Sequence, residues 1–199
     1  MKLIPSFELN EYLLVLTPHD DLVQQVNRVR KKFAEDHDTQ HAIGTNANIM
    51  LCKFYHYAAT EARMKTKLQA VAMRINAFMV ELEDFGSLPT HTIYINVKTK
   101  NKINELVREI KDSRTLLSIS KEHKAYYPEE PYIAIAKKLV PYQYEKGWLE
   151  YSHSHFKGCF VANNMSLLRL DKISGRYVLV QKMSFMNKQV EVKQGQLFG

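Results

Sequence analysis

Glu130-Pro131-Tyr132-Ile133-Ala134-Ile135-Ala136-Lys137-Lys138-Leu139 decides the fold, because it reads as a buried strand and has a counterpart earlier in the chain. The counterpart is Ala47-Asn48-Ile49-Met50-Leu51-Cys52-Lys53-Phe54, which places Ile49 over Ile133, Leu51 over Ile135 and Lys53 over Lys137. A strand that recurs within one chain points to two similar halves. The residues between its apolar positions then occupy equivalent places in each half.

Working outward, Glu11-Tyr12-Leu13-Leu14-Val15-Leu16-Thr17 is a short apolar run ended by Pro18 and reads as a strand. Asp20 and Asp21 can cap a helix whose apolar positions are Leu22, Val26, Val29 and Phe33, with Gln25, Arg28, Lys31 and Lys32 on its solvated face. The polar stretch from Glu35 to Asn46 reads as a loop. After the first motif strand, Thr60 can cap a helix carrying Met64, Leu68, Val71 and Ile75 on one face. Phe78 to Phe85 alternates as a half-buried strand, and Gly86-Ser87-Leu88-Pro89 supplies a turn.

A strand over 91–97 and a helix with Ile103, Leu106, Val107 and Ile110 inward come next, in a lysine-rich neighbourhood. The second motif strand follows. Pro141 then suits the first turn of a helix bearing Tyr144, Trp148, Tyr151 and His155 at helical spacing. Lys157 to Leu170 and Arg176 to Phe185 read as a hairpin closed by residues 171–175, and 187–199 as a frayed tail.

These elements pair in order. The strand at 11 matches that at 91, helix 20 matches 101, strand 47 matches 131, helix 60 matches 142 and strand 78 matches 158, each about eighty residues on. Each half is a β-α-β-α-β unit. The expected fold is α+β and bilobal, with two antiparallel-rich sheets facing a central cleft and helices on the outer faces. The expected organisation is one domain, with lobes near 11–85 and 91–185 whose terminal strands can exchange.

Composition bounds the class. The chain has 199 residues, 45% of them hydrophobic, and carries 28 Lys+Arg against 21 Asp+Glu, a formal charge of +7. That balance favours an anionic partner such as a nucleotide or nucleic acid, although many soluble proteins share it. No apolar run nears the roughly 20 residues of a bilayer span. Pro5 and Glu8 interrupt the N-terminus before an apolar leader develops, so a cytoplasmic location and no membrane association are expected. Cys52 and Cys159 fall in separate strands without CxxC spacing, which argues against a disulfide framework or a zinc site.

Strand alternation sorts the motif residues. Ile49, Leu51, Ile133 and Ile135 should pack beneath helices. The opposite face then presents Asn48, Met50 and Cys52 from one strand, and Tyr132, Ala134, Ala136 and Lys138 from the other.

The duplication, the paired motif strands and the run Pro-x-Ile-x-Ile-Ala-x-Lys-Leu resemble the two-histidine phosphoesterases, in particular the bacterial 2'-5' RNA ligase and cyclic phosphodiesterase branch. The resemblance spans Glu11 to Phe185. It implies a bilobal fold with an active cleft between the lobes, and a His-x-Thr/Ser motif in each motif strand. This chain departs at all four diagnostic positions: Asn48 and Tyr132 stand where the histidines belong, and Met50 and Ala134 where the hydroxyl residues belong.

The family's chemistry implies one imidazole to accept a proton and another to protonate the leaving oxygen, with hydroxyls on the phosphate. Asn48 cannot titrate, and a tyrosine with a reference pKa of about 10 is a poor proton exchanger at neutral pH. Other histidines are weak substitutes. His91 is followed two residues on by Ile93, and the pair His153 and His155 lacks the i, i+4 spacing of a helical metal site. No catalytic residue, metal or cofactor is therefore assigned.

Three readings stay open. The first is a catalytically silent fold that retains weak binding of a nucleotide or RNA end through its phosphate, with Asn48, Tyr132 and Lys138 as ligand contacts. By parity Lys53 and Lys137 face away unless the strands twist. The second is an active cyclic phosphodiesterase or 2'-5' RNA ligase using Tyr132 with a loop histidine, His41, His56 or His123. The third is a protein-interaction module with a filled cleft. A monomer is expected, and no protein partner is named. Asn48 and Tyr132 can equally be polar residues merely tolerated in a cleft that has lost its ligand, and the Tyr144, Trp148, Tyr151 stripe reads as helix packing rather than a base-stacking platform.

Overall fold

The computed structural model describes residues 8–39, 46–112, 117, 119–120 and 123–186. The tail expected over 187–199 and the loop residue His41 lie outside them. Among the described residues the chain runs β1 (Leu9–Leu16), α1 (Asp20–His37), β2 (Ile49–Tyr57), α2 (Glu61–Ala72), β3 (Phe78–Leu88), β4 (Thr92–Val97), α3 (Lys100–Asp112), β5 (Tyr132–Lys137), α4 (Pro141–Tyr151), β6 (Lys157–Ala162), β7 (Asn164–Leu170) and β8 (Tyr177–Ser184).

Two four-stranded antiparallel sheets result, ordered β2-β1-β7-β8 and β5-β4-β3-β6. Helices α2 and α3 pack on the first sheet, and α1 and α4 on the second. The buried helix residues follow the sequence periodicity: Leu22, Val26 and Phe33 in α1, Met64, Leu68 and Val71 in α2, Ile103, Leu106 and Ile110 in α3. Tyr144 and Tyr151 of α4 are likewise buried, and Trp148 packs against the core. Tyr12, fully buried, donates to Glu61 of α2 at 3.1 Å, and Arg169 of β7 donates to the same carboxylate at 2.9 Å. That pair of contacts fastens α2 to two strands of the first sheet.

Several local expectations change. His19, not Asp20, is the residue before α1, so Asp20 and Asp21 sit inside the first turn, where they complement the helix dipole rather than cap it. Thr60 precedes α2 as expected, but its hydroxyl donates to the Tyr57 carbonyl at 2.7 Å instead of capping. His91 lies in the turn before β4, and His155 lies beyond the end of α4. Gly86 to Leu88 continue β3 instead of turning. Gly86 pairs with Tyr94, whose ring lies where a Cβ would be, 2.6 Å from Tyr94 Cε2 and 2.5 Å from Asn96 Oδ1.

The largest change concerns residues 157–170. They form two strands parted at Asn163: β6 pairs with β3 in the second sheet, while β7 pairs with β1 in the first. By sheet position the counterpart of β3 is therefore β7 rather than the strand starting at 157. The expected hairpin is β7-β8, with Asp171 accepting the backbone N–H groups of Ile173 and Ser174 in its turn.

One row across the first sheet is tied by a carboxylate. Glu11 of β1 lies opposite Tyr55 of β2, and Tyr177 reaches it from β8. Both tyrosine hydroxyls donate to Glu11, and Lys53 Nζ meets it at 2.8 Å. Burial pushes the Glu11 carboxyl up, but the hydrogen bonds from Lys53, Tyr177 and Tyr55 outweigh it and hold the group below its ordinary value.

Two of these packing and charge contacts can be read through stability. Gly147 of α4 sits against Phe33, whose ring lies 2.6 Å from the position a Cβ would take. Helix propensity alone favours Gly147→Ala by about 1 kcal/mol. Crowding of the buried Phe33 reverses the sign, and urea denaturation should show a net loss of about 1–2 kcal/mol. Glu11→Gln should lower the urea midpoint at pH 7. Because the folded carboxyl titrates below its unfolded value of 4.5, the stabilisation is present above that value and fades as pH falls through the lower folded one. The gap between wild type and variant should therefore narrow on acidification; a constant gap would refute the assignment.

Candidate functional site

The site lies between β2 and β5, which are edge strands of their respective sheets and touch one another. Between the sheets is a cavity of about 440 Å³. Asn48, Met50, Tyr132 and Ala134 all line it, so the four positions singled out in the two motif strands are brought to one place.

Lys138 is placed differently from its expected position. It is exposed, has a φ of 58°, and stands outside the cavity, while Lys137 lines it. The cause is a β-bulge. Tyr94 pairs with Ala134 and Ile93 with Ala136, which leaves Ile135 as an extra residue and reverses the alternation beyond it. The first motif strand repeats the device: Val15 pairs with Met50 and Leu14 with Cys52, leaving Leu51 extra. Cys52 and Ala136, expected on the cleft face, are buried and do not line the cavity. Lys53 is turned toward the Glu11 row by the same switch.

The floor on the β5 side is aromatic. Tyr132 lies 4.7 Å from Tyr94, ring centroid to centroid, and the Lys137 ammonium sits 5.5 Å from the Tyr132 ring centre. Burial, then the nearby Tyr126 and Tyr94, push the Tyr132 hydroxyl above its usual range. Lys137 is shifted the other way: burial lowers its pKa, and the positive charge of Arg30 lowers it further.

Arg30 comes from the buried face of α1. Its Nε and Nη2 donate to the Ala134 carbonyl at 2.9 and 2.6 Å, which satisfies a carbonyl on the edge strand and draws the guanidinium to the cavity wall. Burial brings its pKa down to about 10. Arg176 and Tyr177 add a wall from the start of β8, with Leu13, Val15 and Leu168 beneath. Among the described residues Glu130 is the acidic side chain in the lining, and it is ion-paired with Lys100.

Arg30, Arg176 and Tyr177 were not among the residues selected from the sequence. A signal for Arg30 exists: it falls between Val26 and Phe33 at i+4 and i−3, a charge on an otherwise apolar helix face. Arg176 and Tyr177 carry no comparable mark, since only the return of the hairpin brings them to the cleft.

Asn48 lines the cavity, but its side-chain oxygen is itself buried and accepts no hydrogen bond among the described residues. His56 contacts Thr60, and His123 contacts Ser120 and the edge of Tyr55; neither lines the cavity. Among the described residues no group of three His, Cys, Asp or Glu side chains is placed to hold a metal. Nor is any helix among them long and apolar enough to cross a membrane.

Comparison with solved structures places this architecture. Escherichia coli LigT complexed with 3'-AMP aligns over 89% of this chain and 99% of its own, at 12% identity and a TM-score of 0.59. LigT complexed with ATP aligns over 90% and 99%, at 13% identity and a TM-score of 0.60. A protein of Thermus thermophilus aligns over 88% and 97%, at 14% identity and a TM-score of 0.56. At these identities the likeness concerns the fold. No curated protein matches the chain. The family model for the 2'-5' RNA ligase superfamily matches residues 18–173, from just after β1 into the β7-β8 turn. With both motif strands inside that match, the chain belongs to the 2'-5' RNA ligase superfamily.

Proposed function

We propose that this protein is a catalytically silent member of its superfamily that binds a phosphate-bearing nucleotide or RNA end in the cavity between β2 and β5. The observation that carries the reading is the lining itself: Arg30, Lys137 and Arg176 supply positive charge, while Asn48 and Tyr132 stand where proton-transfer groups belong. Asn48 has no titratable proton, and Tyr132 is pushed further from neutrality by burial. General acid–base catalysis is worth about 10²- to 10⁴-fold per group, so losing both partners removes the standard route. Burial of Lys137 beside Arg30 leaves positive charge that an anion would relieve. LigT, with the same fold, has been solved with 3'-AMP, ATP and phosphate, which supports a phosphate-bearing ligand here.

A cavity of about 440 Å³ suits a mononucleotide-sized ligand and supports this reading over a filled, purely structural cleft.

Incubation with 2',3'-cyclic nucleotides and 2'-5'-linked dinucleotides, followed by chromatography, should give no turnover above the blank. Robust hydrolysis or ligation that is abolished by Asn48→Ala or Tyr132→Phe would sink the proposal. The quadruple variant Asn48→His, Met50→Thr, Tyr132→His, Ala134→Thr should recover measurable cyclic phosphodiesterase activity, because the strands that present these positions are intact. A well-folded quadruple variant without activity would show that the cleft has diverged beyond the four positions.

A further inference from the structure

The helices divide by charge. Residues 61–74, which hold α2 and its exit, and α3 together carry eight basic side chains against four acidic ones, whereas α1 and α4 carry five against six. The positive surplus is therefore gathered on the layer over the first sheet. That layer is the back of the cleft: Tyr12 reaches Glu61 of α2 while its neighbour Leu13 lines the cavity, and strand alternation puts the two on opposite faces.

Within the layer the polar side chains form two stripes. Arg63, Lys67, Ala70 and Arg74 are exposed at spacings of four, three and four, and Asn101, Asn104, Arg108 and Lys111 at three, four and three. Arg74 and Glu109, 3.3 Å apart, join one helix to the other. Arg63, Lys67 and Arg108 make no ion pair or hydrogen bond among the described residues, and the Lys111 ammonium meets the Tyr127 ring at 4.9 Å, which leaves its charge uncompensated. The acids of the layer are engaged elsewhere: Glu61 with Tyr12, Arg169 and Lys65, Glu105 with Lys102, and Glu109 with Arg74. Asp112 is the acid without an ion pair among the described residues.

The chemistry of the face selects among polyanions. Residues 61–74 and α3 contain no aromatic side chain, so they offer neither the stacking platform of a single-strand site nor the aromatic anchors of a membrane-surface helix. A duplex keeps its bases stacked and presents phosphates outward. The exposed amides of Asn101 and Asn104, which donate and accept at once, suit the 2'-hydroxyls along the shallow minor groove of an A-form helix. We infer that the outer face of α2 and α3 binds duplex RNA along its backbone, without regard to base sequence. The surface is separate from the cavity and does not depend on what the cavity holds.

Fluorescence anisotropy of the full chain with a labelled RNA duplex of about 20 base pairs, ending in hydroxyls, from about 50 to 200 mM salt, tests this. We expect the logarithm of the affinity to fall with that of salt at a slope of about −3. The variant Arg63→Gln, Lys67→Gln, Arg108→Gln should bind about tenfold or more weakly at low salt and flatten the slope by about 2, with an unchanged melting temperature. Removing the same charge from the other helix layer, by Arg28→Gln, Lys31→Gln, Lys146→Gln, should cost about threefold or less. RNA should bind about threefold or more tightly than a DNA duplex of the same sequence, and Asn101→Ala with Asn104→Ala should erase that preference. Equal losses from the two triple variants overturn a localised surface. A DNA duplex or a uridine oligomer that binds as tightly as the RNA duplex overturns the assignment of the ligand, as does binding to phosphatidylserine vesicles in its place. Loss of RNA binding on Lys137→Gln or Arg176→Gln, with none on the α2–α3 variant, puts the RNA in the cavity, overturns this inference and leaves the proposed function standing.

Discussion

Two N–H groups of Arg30 meet the carbonyl of Ala134 at the free edge of β5, and the surroundings of the cavity are arranged about that contact. An edge strand exposes backbone groups that need partners, and a buried guanidinium needs acceptors; each answers the other. Because Arg30 belongs to α1 and Ala134 to β5, the bond ties an early helix to a late strand. It also stations a positive charge beside Lys137, which adds to the burial that already lowers that lysine's pKa. What recurs between the two halves of the sequence is the apolar frame of the cleft, whereas this contact has no counterpart among the described residues and makes the two sides of the cavity unlike.

The two bulges give the cleft its second constraint. An extra residue at Leu51 and at Ile135 sits at equivalent points of the two motif strands, and each reverses the facing of the lysine that follows. The resemblance ends at the lysines' surroundings. Glu11, Tyr55 and Tyr177 gather around Lys53 and make that side a closed polar row, while Lys137 faces the cavity. Internal duplication thus supplies matched backbones with side chains that have been put to different ends.

Much of this was legible in the residues. Apolar spacing located the four α-helices of the described residues, and the recurrence of Ile49 and Leu51 at Ile133 and Ile135 located the strands that frame the cleft. Parity correctly put Asn48, Met50, Tyr132 and Ala134 on the cavity side. It failed at Lys138 and Cys52 because a bulge leaves no signature in composition: Ile135 and Leu51 look like any other core residue. The split at Asn163 was hidden for a related reason, since β6 and β7 are each half-buried strands and only their partners distinguish them. Gly86 read as a turn because glycine usually does; here it makes room for the Tyr94 ring.

The crossing of β3 into one sheet and of β7 into the other has a consequence for how such a chain can drift. Neither half holds a complete sheet: β2 and β5, which carry the cleft, pair with β1 and β4 of their own halves, and β1 and β4 pair in turn with β7 and β3 from the other half. The interior that maintains this weave, with Tyr12, Leu14, Phe54, Ile93 and Ile95 fully buried, lies on the faces turned away from the cavity. Selection on the scaffold and selection on the chemistry therefore act on different residues. Substitutions at the cavity positions can accumulate while the buried faces of both sheets are kept.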